Sequence, residues 1–137
     1  MDNCIFCKIV KGEIPSTKIY EDSKILAFLD IAPVNIGHTL VIPKEHFINI
    51  YDTPEEILAN MAKVAKKISQ ALKTQVGADG INVTMNNEKA AGQIIFHTHI
   101  HVIPRINTDG FGVWHGRRPY KDGEMADVAK KIIEKIN

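Results

Sequence analysis

Three of the six histidines in the chain, His97, His99 and His101, occupy alternate positions of one short apolar segment. Side chains of a β-strand alternate between its two faces, so the three imidazoles would share one face. The intervening side chains would point to a packed core: Phe96, Thr98, Ile100 and Val102. Neutral imidazole predominates at pH 7 because its ordinary pKa is about 6.5, and it can serve as a nucleophile or a metal ligand. The segment therefore predicts a chemical site.

Spacing limits how the three histidines can act together. Alternate residues lie about 6.6 Å apart along a strand, so His97 and His101 are about 13 Å apart and cannot share one metal ion. Two neighbouring members could form a His-x-His metal pair that is completed by ligands from elsewhere. Alternatively, one histidine binds a metal while the next carries out covalent chemistry. The residues by themselves leave both arrangements open.

The two cysteines, Cys4 and Cys7, form a Cys-x-x-Cys pair. Two thiolates at this spacing are a standard half of a tetrahedral zinc site, whose other ligands come from elsewhere in the chain. The alternative is a redox motif, which usually opens a helix after a strand, and Cys4 has no room for such a strand before it. Such a pair is typical of a protein in a reducing compartment, so we expect a cytoplasmic protein.

The clearest structural element is a helix expected over Thr53–Val76. Thr53 is the expected N-cap, Pro54 suits the first helical position, and Glu56 completes a capping box. Gly77 is expected to end this helix. Apolar residues recur along it at helical spacing: Ile57, Met61, Val64, Ala65, Ile68 and Leu72.

A second amphipathic helix is expected from about Asp122 to Ile136, docked on the rest of the chain. Five short segments are predicted to be strands: Thr17–Tyr20, Lys24–Leu29, Thr39–Ile42, Gly80–Met85 and Ile94–Arg105. Five strands and two main helices without strict alternation favour an α+β domain on a mostly antiparallel sheet. We expect residues 1–137 to form a single domain.

Composition excludes several classes of function. The 137 residues include 17 Lys and Arg against 16 Asp and Glu, and a net charge of +1 does not favour non-specific nucleic-acid binding. No stretch approaches the roughly 20 apolar residues of a membrane span, and the first residues lack a basic-then-apolar secretory pattern. We therefore expect no nucleic-acid partner and no membrane association.

The segment His97–Ile103 closely resembles the histidine-triad motif His-φ-His-φ-His-φ-φ, with Thr98 in the first apolar position. Three further segments match the same family in order and spacing: Phe28-Leu29-Asp30-Ile31, Gly37-His38-Thr39-Leu40-Val41-Ile42-Pro43-Lys44 and Ala91-Gly92-Gln93. On these motifs the sequence is identified as a member of the histidine-triad (HIT) superfamily, similar to its bacterial nucleotide hydrolases and transferases. The resemblance covers nearly the whole chain and implies a HIT-like fold.

The resemblance implies covalent chemistry at the α-phosphate of a nucleotide. His99 would be the nucleophile that forms a nucleotidyl-histidine intermediate. His101 would hydrogen-bond the phosphate oxygens and serve the leaving group, with His38 behind it, and Gln93 would donate to the phosphate or its bridging atom. The substrate would be a purine nucleotide conjugate of the phosphoramidate or dinucleoside polyphosphate type.

By the same resemblance, Asp30 would accept hydrogen bonds from the ribose hydroxyls. The other implied nucleotide-binding residues are Phe28, Ile31, Asn86, Gly92, Gln93, His99 and His101, with Ile5 and Ile9 nearby. Zinc would be a structural cofactor with four ligands: Cys4, Cys7, His46 and His97. Members of the family are typically two-fold dimers, so the resemblance implies a homodimer, with contacts through the first helix and the strand that begins near Gly80.

The chain departs from the family pattern in two places. Ile94 stands where nucleoside phosphoramidases commonly carry a hydroxyl residue, and residues 110–118 lack the usual Trp-Pro-rich ending. Arg117 and Arg118 are expected either to meet extra phosphates or to lie in solvent. Two other functions stay open, namely a metal-dependent hydrolase or oxygenase with His97 and His99 as ligands, and a nucleotide-binding adaptor with vestigial turnover.

Overall fold

The computed structural model describes residues 3–112 and 116–136 of the chain. Its helices and strands follow one another in the order α1 (Ile5–Lys11), β1 (Lys18–Glu21), β2 (Ile25–Leu29), β3 (Thr39–Pro43), α2 (Glu55–Ala71), β4 (Gly80–Thr84), β5 (Ile100–Arg105) and α3 (Glu124–Ile136). No helix within the described ranges is long and apolar enough to cross a membrane.

The five strands form one sheet in the order β1-β2-β3-β5-β4, and every neighbouring pair is antiparallel. β3 lies between β2 and β5 and pairs Leu40 with His101, so the histidine strand occupies an inner position of the sheet. The predicted α+β fold, a five-stranded antiparallel sheet with two main helices, is confirmed.

The sheet is covered on both faces. One face packs against α2 in a cluster that includes Ile25, Ala27, Val41, Met61, Val64, Ile68, Ile100 and Val102. The other face packs against α1 in a second cluster: Phe6, Ile9, Leu26, Phe28, Leu40 and Ile42. Because alternate residues of β2 serve the two faces, this strand is apolar at every position. The arrangement places α1 on the face that carries the histidine side chains.

The short helix α1 is absent from the sequence-based prediction. Cys4 caps it, since its Sγ accepts a hydrogen bond from the backbone N–H of Cys7 at 3.4 Å, and Gly12 ends it in the left-handed conformation with φ +80°. The Cys-x-x-Cys pair therefore does open a helix. Among the described residues no strand precedes it.

The histidine strand is shorter than predicted. β5 begins at Ile100 rather than Ile94, because the segment before it bonds elsewhere: Thr98 N–H donates to the carbonyl of Phe47 at 2.7 Å. The prediction that Phe96 faces the core is wrong, since this side chain is exposed. His97 thus lies in a bend before the strand, His99 directly precedes the strand, and His101 lies within it.

The start of α2 differs from the predicted capping box. The Thr53 hydroxyl donates to the carbonyl of Asn49 at 2.6 Å and bonds the Thr98 hydroxyl, and Glu56 pairs with Lys24. Thr53 therefore ties the helix start to the histidine segment instead of capping the helix. At the other end, a π-helical turn over Leu72–Val76 leads to Gly77, which ends the helix with φ +76° as predicted.

The C-terminal helix α3 is not docked as predicted. None of its described residues is buried, and its apolar stripe is exposed: Met125, Val128, Ile132, Ile133 and Ile136. Within residues 110–118, positions 113–115 lie outside the described part of the chain. Arg118 pairs with Glu124 at 3.2 Å, so in the described structure it follows the solvent-exposed alternative.

Candidate active site and metal centre

A cavity of about 420 Å³ lies beside the histidines, lined by α1, the end of β2 and the loop between β4 and β5. Its walls are mostly apolar. Its polar side chains belong to five residues: Ser16, Asp30, Asn86, His99 and His101. Among the described lining residues there is no lysine or arginine. The cavity therefore suits an apolar ring with a small number of polar groups at one end.

Most of the predicted nucleotide-binding residues meet at this cavity. The lining includes Phe28, Asp30, Ile31, Asn86, Gly92, His99 and His101. Ile31 lies at the rim, where its side chain is 97% exposed. Sequence reasoning missed Phe6, Leu40 and Ser16 as lining residues. The spacing of Ile5, Phe6 and Ile9 is helical and could have indicated one wall.

His99 is held with one ring nitrogen free. Its Nδ1 lies 2.7 Å from the backbone carbonyl oxygen of His97, which can only accept a hydrogen bond, so Nδ1 carries the proton. The lone pair of neutral His99 is therefore on Nε2. Burial lowers the pKa of His99, which favours this neutral form. A buried neutral imidazole with a free lone pair beside a cavity can act as a nucleophile.

His101 is oriented through His38. The backbone N–H of Val34 donates to His38 Nδ1 at 3.1 Å, so neutral His38 carries its proton on Nε2. That Nε2 lies 2.9 Å from His101 Nδ1, which must accept the hydrogen bond. His101 consequently keeps its own proton on Nε2 and can donate it to a ligand. Burial, followed by the neighbouring His99 and His38, lowers the pKa of His101 to about 4.

Asp30 lies at the end of β2 between the cavity and His38. Its Oδ1 accepts a hydrogen bond from Ala32 N–H at 2.8 Å, and its Oδ2 is 3.8 Å from His38 Nε2. Its backbone N–H donates to the carbonyl of His38. A carboxylate in this position retains acceptor capacity toward hydroxyl groups in the cavity.

Gln93 does not point into the cavity, in contrast to the prediction that it donates to a phosphate. Its side-chain amide donates to the carbonyls of Ile48 at 2.7 Å and Ile95 at 3.1 Å. Its Oε1 accepts from Glu88 N–H at 2.8 Å. The residue is buried and ties the loop between β4 and β5 to the chain before α2. In this arrangement its hydrogen bonds hold the loop between β4 and β5 in place, and its contact with a phosphate stays a prediction.

The four predicted metal ligands converge on one point. His97 Nδ1 lies 3.4 Å from Cys4 Sγ, 3.6 Å from Cys7 Sγ and 3.2 Å from His46 Nδ1, and His46 Nδ1 lies 3.3 Å from Cys7 Sγ. All four ligand atoms lie within 4.8 Å of one another. Zn–S bonds near 2.3 Å and Zn–N bonds near 2.0 Å give tetrahedral ligand separations of about 3.3–3.8 Å. The donor set and its geometry therefore fit zinc.

His97 has the tautomer that a metal ligand needs. Its Nε2 donates to the carbonyl of Pro43 at 2.8 Å, which leaves the lone pair on Nδ1, the atom that faces the two thiols. Its side chain is fully buried, and burial lowers its pKa to about 4. The structure thus favours one of the two arrangements left open by spacing, in which His97 belongs to a metal centre and His99 to the cavity.

A second group of potential ligands, Asp30, His38 and His101, lies beside the cavity, and Asp30 and His101 line it. It is less suited to a metal because Val34 N–H occupies His38 Nδ1 and leaves a proton on the Nε2 that would have to bind the ion. The two histidines instead belong to a directed hydrogen-bond chain that runs from Val34 N–H through His38 to His101 and ends at His101 Nε2.

A family model described as the HIT domain matches residues 11–108. The chain belongs to the HIT family. It is 44% identical to Protein hit of Bacillus subtilis, over 98% of this chain and 95% of that protein. It is 42% identical to adenosine 5'-monophosphoramidase hnt1 of Schizosaccharomyces pombe, over 98% of both chains. Adenylylsulfatase HINT3 of Arabidopsis thaliana is 46% identical over 79% of this chain and 55% of its own length.

Solved structures of HIT family members agree with this fold. A member from Bacillus subtilis superposes with a TM-score of 0.89 at 43% identity and covers 96% of both chains. A histidine triad family protein from Mycobacterium smegmatis, described as Zn-bound, has a TM-score of 0.77 at 40% identity and covers 99% of both chains.

Proposed function

We propose that the protein is a nucleotide hydrolase or nucleotidyl transferase that cleaves the α-phosphate bond of a purine nucleotide conjugate through a covalent intermediate on His99. The observation that carries this proposal is the hydrogen bond from His99 Nδ1–H to the carbonyl of His97, which leaves the Nε2 lone pair available for attack. Relatives named adenosine 5'-monophosphoramidase and adenylylsulfatase support a nucleotide hydrolase activity.

The proposed reaction has two steps. His99 Nε2 attacks phosphorus, the Nε2–P bond forms, and the bond from phosphorus to the leaving group breaks. The anionic phosphate favours uptake of one additional proton by the His101–His38 pair. The leaving group departs with a proton from His101 Nε2, and the pair returns to its neutral form. Water or another acceptor hydroxyl then attacks phosphorus, the Nε2–P bond breaks, and the acceptor's proton returns to the pair. Together the two steps return the protein to its starting state.

The cavity favours a substrate with one phosphate between the nucleoside and the leaving group. A dinucleoside polyphosphate would place several negative charges beside the histidines, and the described lining provides no lysine or arginine to neutralise them. Apolar walls with Asp30 at one end suit a purine nucleoside whose ribose hydroxyls donate to the carboxylate. We therefore favour phosphoramidates among the candidate conjugates.

The metal centre is proposed to hold one structural zinc ion. Four ligands close the coordination shell, so a zinc ion bound there would have no open position for substrate. Its ligands would join the start of α1, where the two cysteines lie, to two segments next to the sheet. His46 follows β3 and His97 precedes β5. The Zn-bound Mycobacterium smegmatis relative supports this assignment.

The decisive experiment is AMP release from an adenosine phosphoramidate, measured with and without a mild chelator. We expect release in both conditions, loss of release in His99→Ala, and retention of AMP binding by that variant. Intact mass spectrometry of a rapidly quenched reaction should show one adenylyl group bound to wild-type protein and none on His99→Ala. Normal turnover by His99→Ala would contradict the proposal.

Other outcomes of the same experiment favour other functions. Tight nucleotide binding without release, in either condition, would favour the adaptor. Release that is lost only with chelator, while circular dichroism shows an intact fold, would favour a catalytic metal.

A further inference from the structure

A polar network connects the end of β5 to the loop before β3, outside the cavity. Arg105 and Asp109 form a bidentate ion pair, with Nε to Oδ2 at 2.7 Å and Nη2 to Oδ1 at 2.9 Å. Asp109 Oδ2 also accepts a hydrogen bond from Asn35 Nδ2 at 3.0 Å. Paired donors of this kind fix a carboxylate precisely, so Asp109 is a firm attachment point for Asn35.

Asn35 connects this ion pair to the loop over residues 32–37. Its Nδ2 donates a second hydrogen bond to the carbonyl of Pro104 at 2.9 Å, and its backbone carbonyl accepts from His38 N–H at 3.0 Å. The apolar side chains beside it contribute little packing, since Val34 and Ile36 are exposed. The conformation of this loop therefore depends on hydrogen bonds, and both side-chain donations of Asn35 go to the β5 end.

The loop in turn controls the His38–His101 pair. Val34 N–H is the donor to His38 Nδ1 and lies next to Asn35 in the chain. We propose that Asn35 is a positioning residue that, through Val34 N–H, fixes the tautomer and orientation of His38 and thereby keeps the proton of His101 on Nε2. The inference rests on the proposed function only in the statement that His101 Nε2–H serves the phosphate.

Loss of the Val34 N–H donor would allow the hydrogen bond between His38 and His101 to reverse its direction. If Val34 N–H moves away, His38 can carry its proton on Nδ1, and its Nε2 then presents a lone pair to His101. His101 must donate from Nδ1 to satisfy that lone pair. The nitrogen facing the phosphate then also presents a lone pair, which repels the phosphate oxygens instead of donating to them.

The test compares Asn35→Ala and the isosteric Asn35→Asp, which lacks the two donors, with wild type. Ile36→Ala is the matched control, because it alters an exposed side chain of the same loop that makes none of these hydrogen bonds. Long-range ¹H–¹⁵N spectra of the imidazoles report each tautomer directly. We expect wild type and Ile36→Ala to show His38 and His101 protonated on Nε2 alone. Both Asn35 variants should show averaged Nδ1 and Nε2 shifts for these two rings, with the His99 pattern unchanged.

Turnover of the phosphoramidate provides the second measurement. The Asn35 variants should lose about three- to tenfold in kcat with KM changed by less than about twofold, the effect of one weakened hydrogen bond. Unchanged imidazole spectra in both Asn35 variants would overturn the inference even if turnover fell. Averaged spectra with normal kcat would overturn the role in catalysis. Since the spectra require no turnover, a failure of the proposed function is distinguishable from a failure of this inference.

Discussion

The three histidines of the motif present different ring nitrogens to their surroundings because different groups hold the other nitrogen of each ring. Pro43 accepts from His97 Nε2, which turns Nδ1 toward the thiols, whereas the carbonyl of His97 accepts from His99 Nδ1, which frees Nε2. His101 accepts at Nδ1 from His38 and keeps a donor on Nε2. One residue type could thus provide the proposed metal ligand, nucleophile and hydrogen-bond donor within five positions of the sequence.

Neutral buried histidines predict a loss of stability in acid. The pKa of His101 is lowered to about 4, first by burial, so between its ordinary pKa and that value the unfolded chain binds a proton that the folded chain does not. The contribution to stability is therefore complete above about pH 6.5 and is lost as the pH falls toward about 4. His101→Gln, which cannot take up that proton, should show a smaller fall in melting temperature between pH 7 and pH 5 than wild type.

Thermal melts followed by circular dichroism at both pH values measure this difference. Zinc release in acid would affect both proteins, so the comparison isolates His101. An equal or larger fall in the variant would contradict the prediction.

Substitution of Gln93 distinguishes the backbone hydrogen bonds of its side chain from the phosphate contact predicted from the sequence. Its amide makes three hydrogen bonds to backbone groups, and Gln93→Ala would remove all three from a buried position. We expect the substitution to lower the free energy of unfolding by about 1–3 kcal/mol, as measured by urea denaturation. The exposed Gln70→Ala is the control and should change it by less than about 0.5 kcal/mol.

A side chain that donates a hydrogen bond to the substrate phosphate would behave differently. If Gln93→Ala reduces kcat while stability stays at the wild-type value, the side chain reaches the substrate during turnover and the positioning role is wrong.

At the scale of elements, the helices and strands that could be predicted are those whose pattern of apolar residues extends over enough positions to be recognised. The apolar residues of α2 recur at a spacing of about 3.6, and β2 is a continuous apolar run of strand length that is typical of a strand covered on both faces. The helical spacing of Ile5, Phe6 and Ile9 covers little more than one turn of α1, and a helix this short is unstable alone in water. Its position depends on the Cys4 cap and on packing of Phe6 and Ile9 against the sheet, which only the folded chain provides.

The candidate site divides in the same way. Residues with chemically active side chains, such as His99 and Asp30, could be selected from their type and motif, and the structure places both at the cavity. The hydrogen bonds of Gln93 could not be predicted from its type. They join its side chain to backbone groups of Ile48, Ile95 and Glu88, which only the folded loop brings together. The exposed stripe of α3 was mispredicted for a related reason, since an amphipathic pattern indicates that a face should be covered but not by what.

The helix α1 connects the proposed zinc ion to the cavity beside the histidines. Cys4 and Cys7 would bind the ion, while Phe6 and Ile9 of the same helix line the cavity. Cys7→Ala should therefore lower the zinc content from about one equivalent to less than about half. Without this attachment α1 loosens, and we expect KM for the phosphoramidate to rise on the order of tenfold with a smaller change in kcat.

Lys8→Ala is the matched control, because Lys8 belongs to the same helix and is not among the four clustered ligands. Metal analysis of protein purified without chelator, together with steady-state kinetics, measures both effects. Full zinc content in Cys7→Ala would contradict the assigned ligand set, and zinc loss with unchanged KM would separate the metal centre from the cavity.

At the scale of the whole molecule, the two edges of the sheet are protected unequally. β1 has four residues with charged Lys18 and Glu21 at its ends, and its pairing with β2 contains an irregularity between Lys18 and Tyr20. β4 pairs regularly along all five residues, carries no charged side chain, and leaves Val83 53% exposed. A regular uncharged edge is the one at which a second chain can add a strand.

The homodimer implied by the family resemblance is therefore predicted to use the β4 edge. Val83→Asp would bring two carboxylates together across a two-fold contact, and we expect it to weaken dimerisation at least about tenfold. Ile19→Asp, at a comparably exposed position (46%) on the β1 edge, is the matched control and should leave the dimer intact. Light scattering over a micromolar concentration series measures both. A wild-type monomer would refute the dimer. Loss of the dimer in Ile19→Asp but not in Val83→Asp would show that the contact uses the charged β1 edge and not the regular β4 edge.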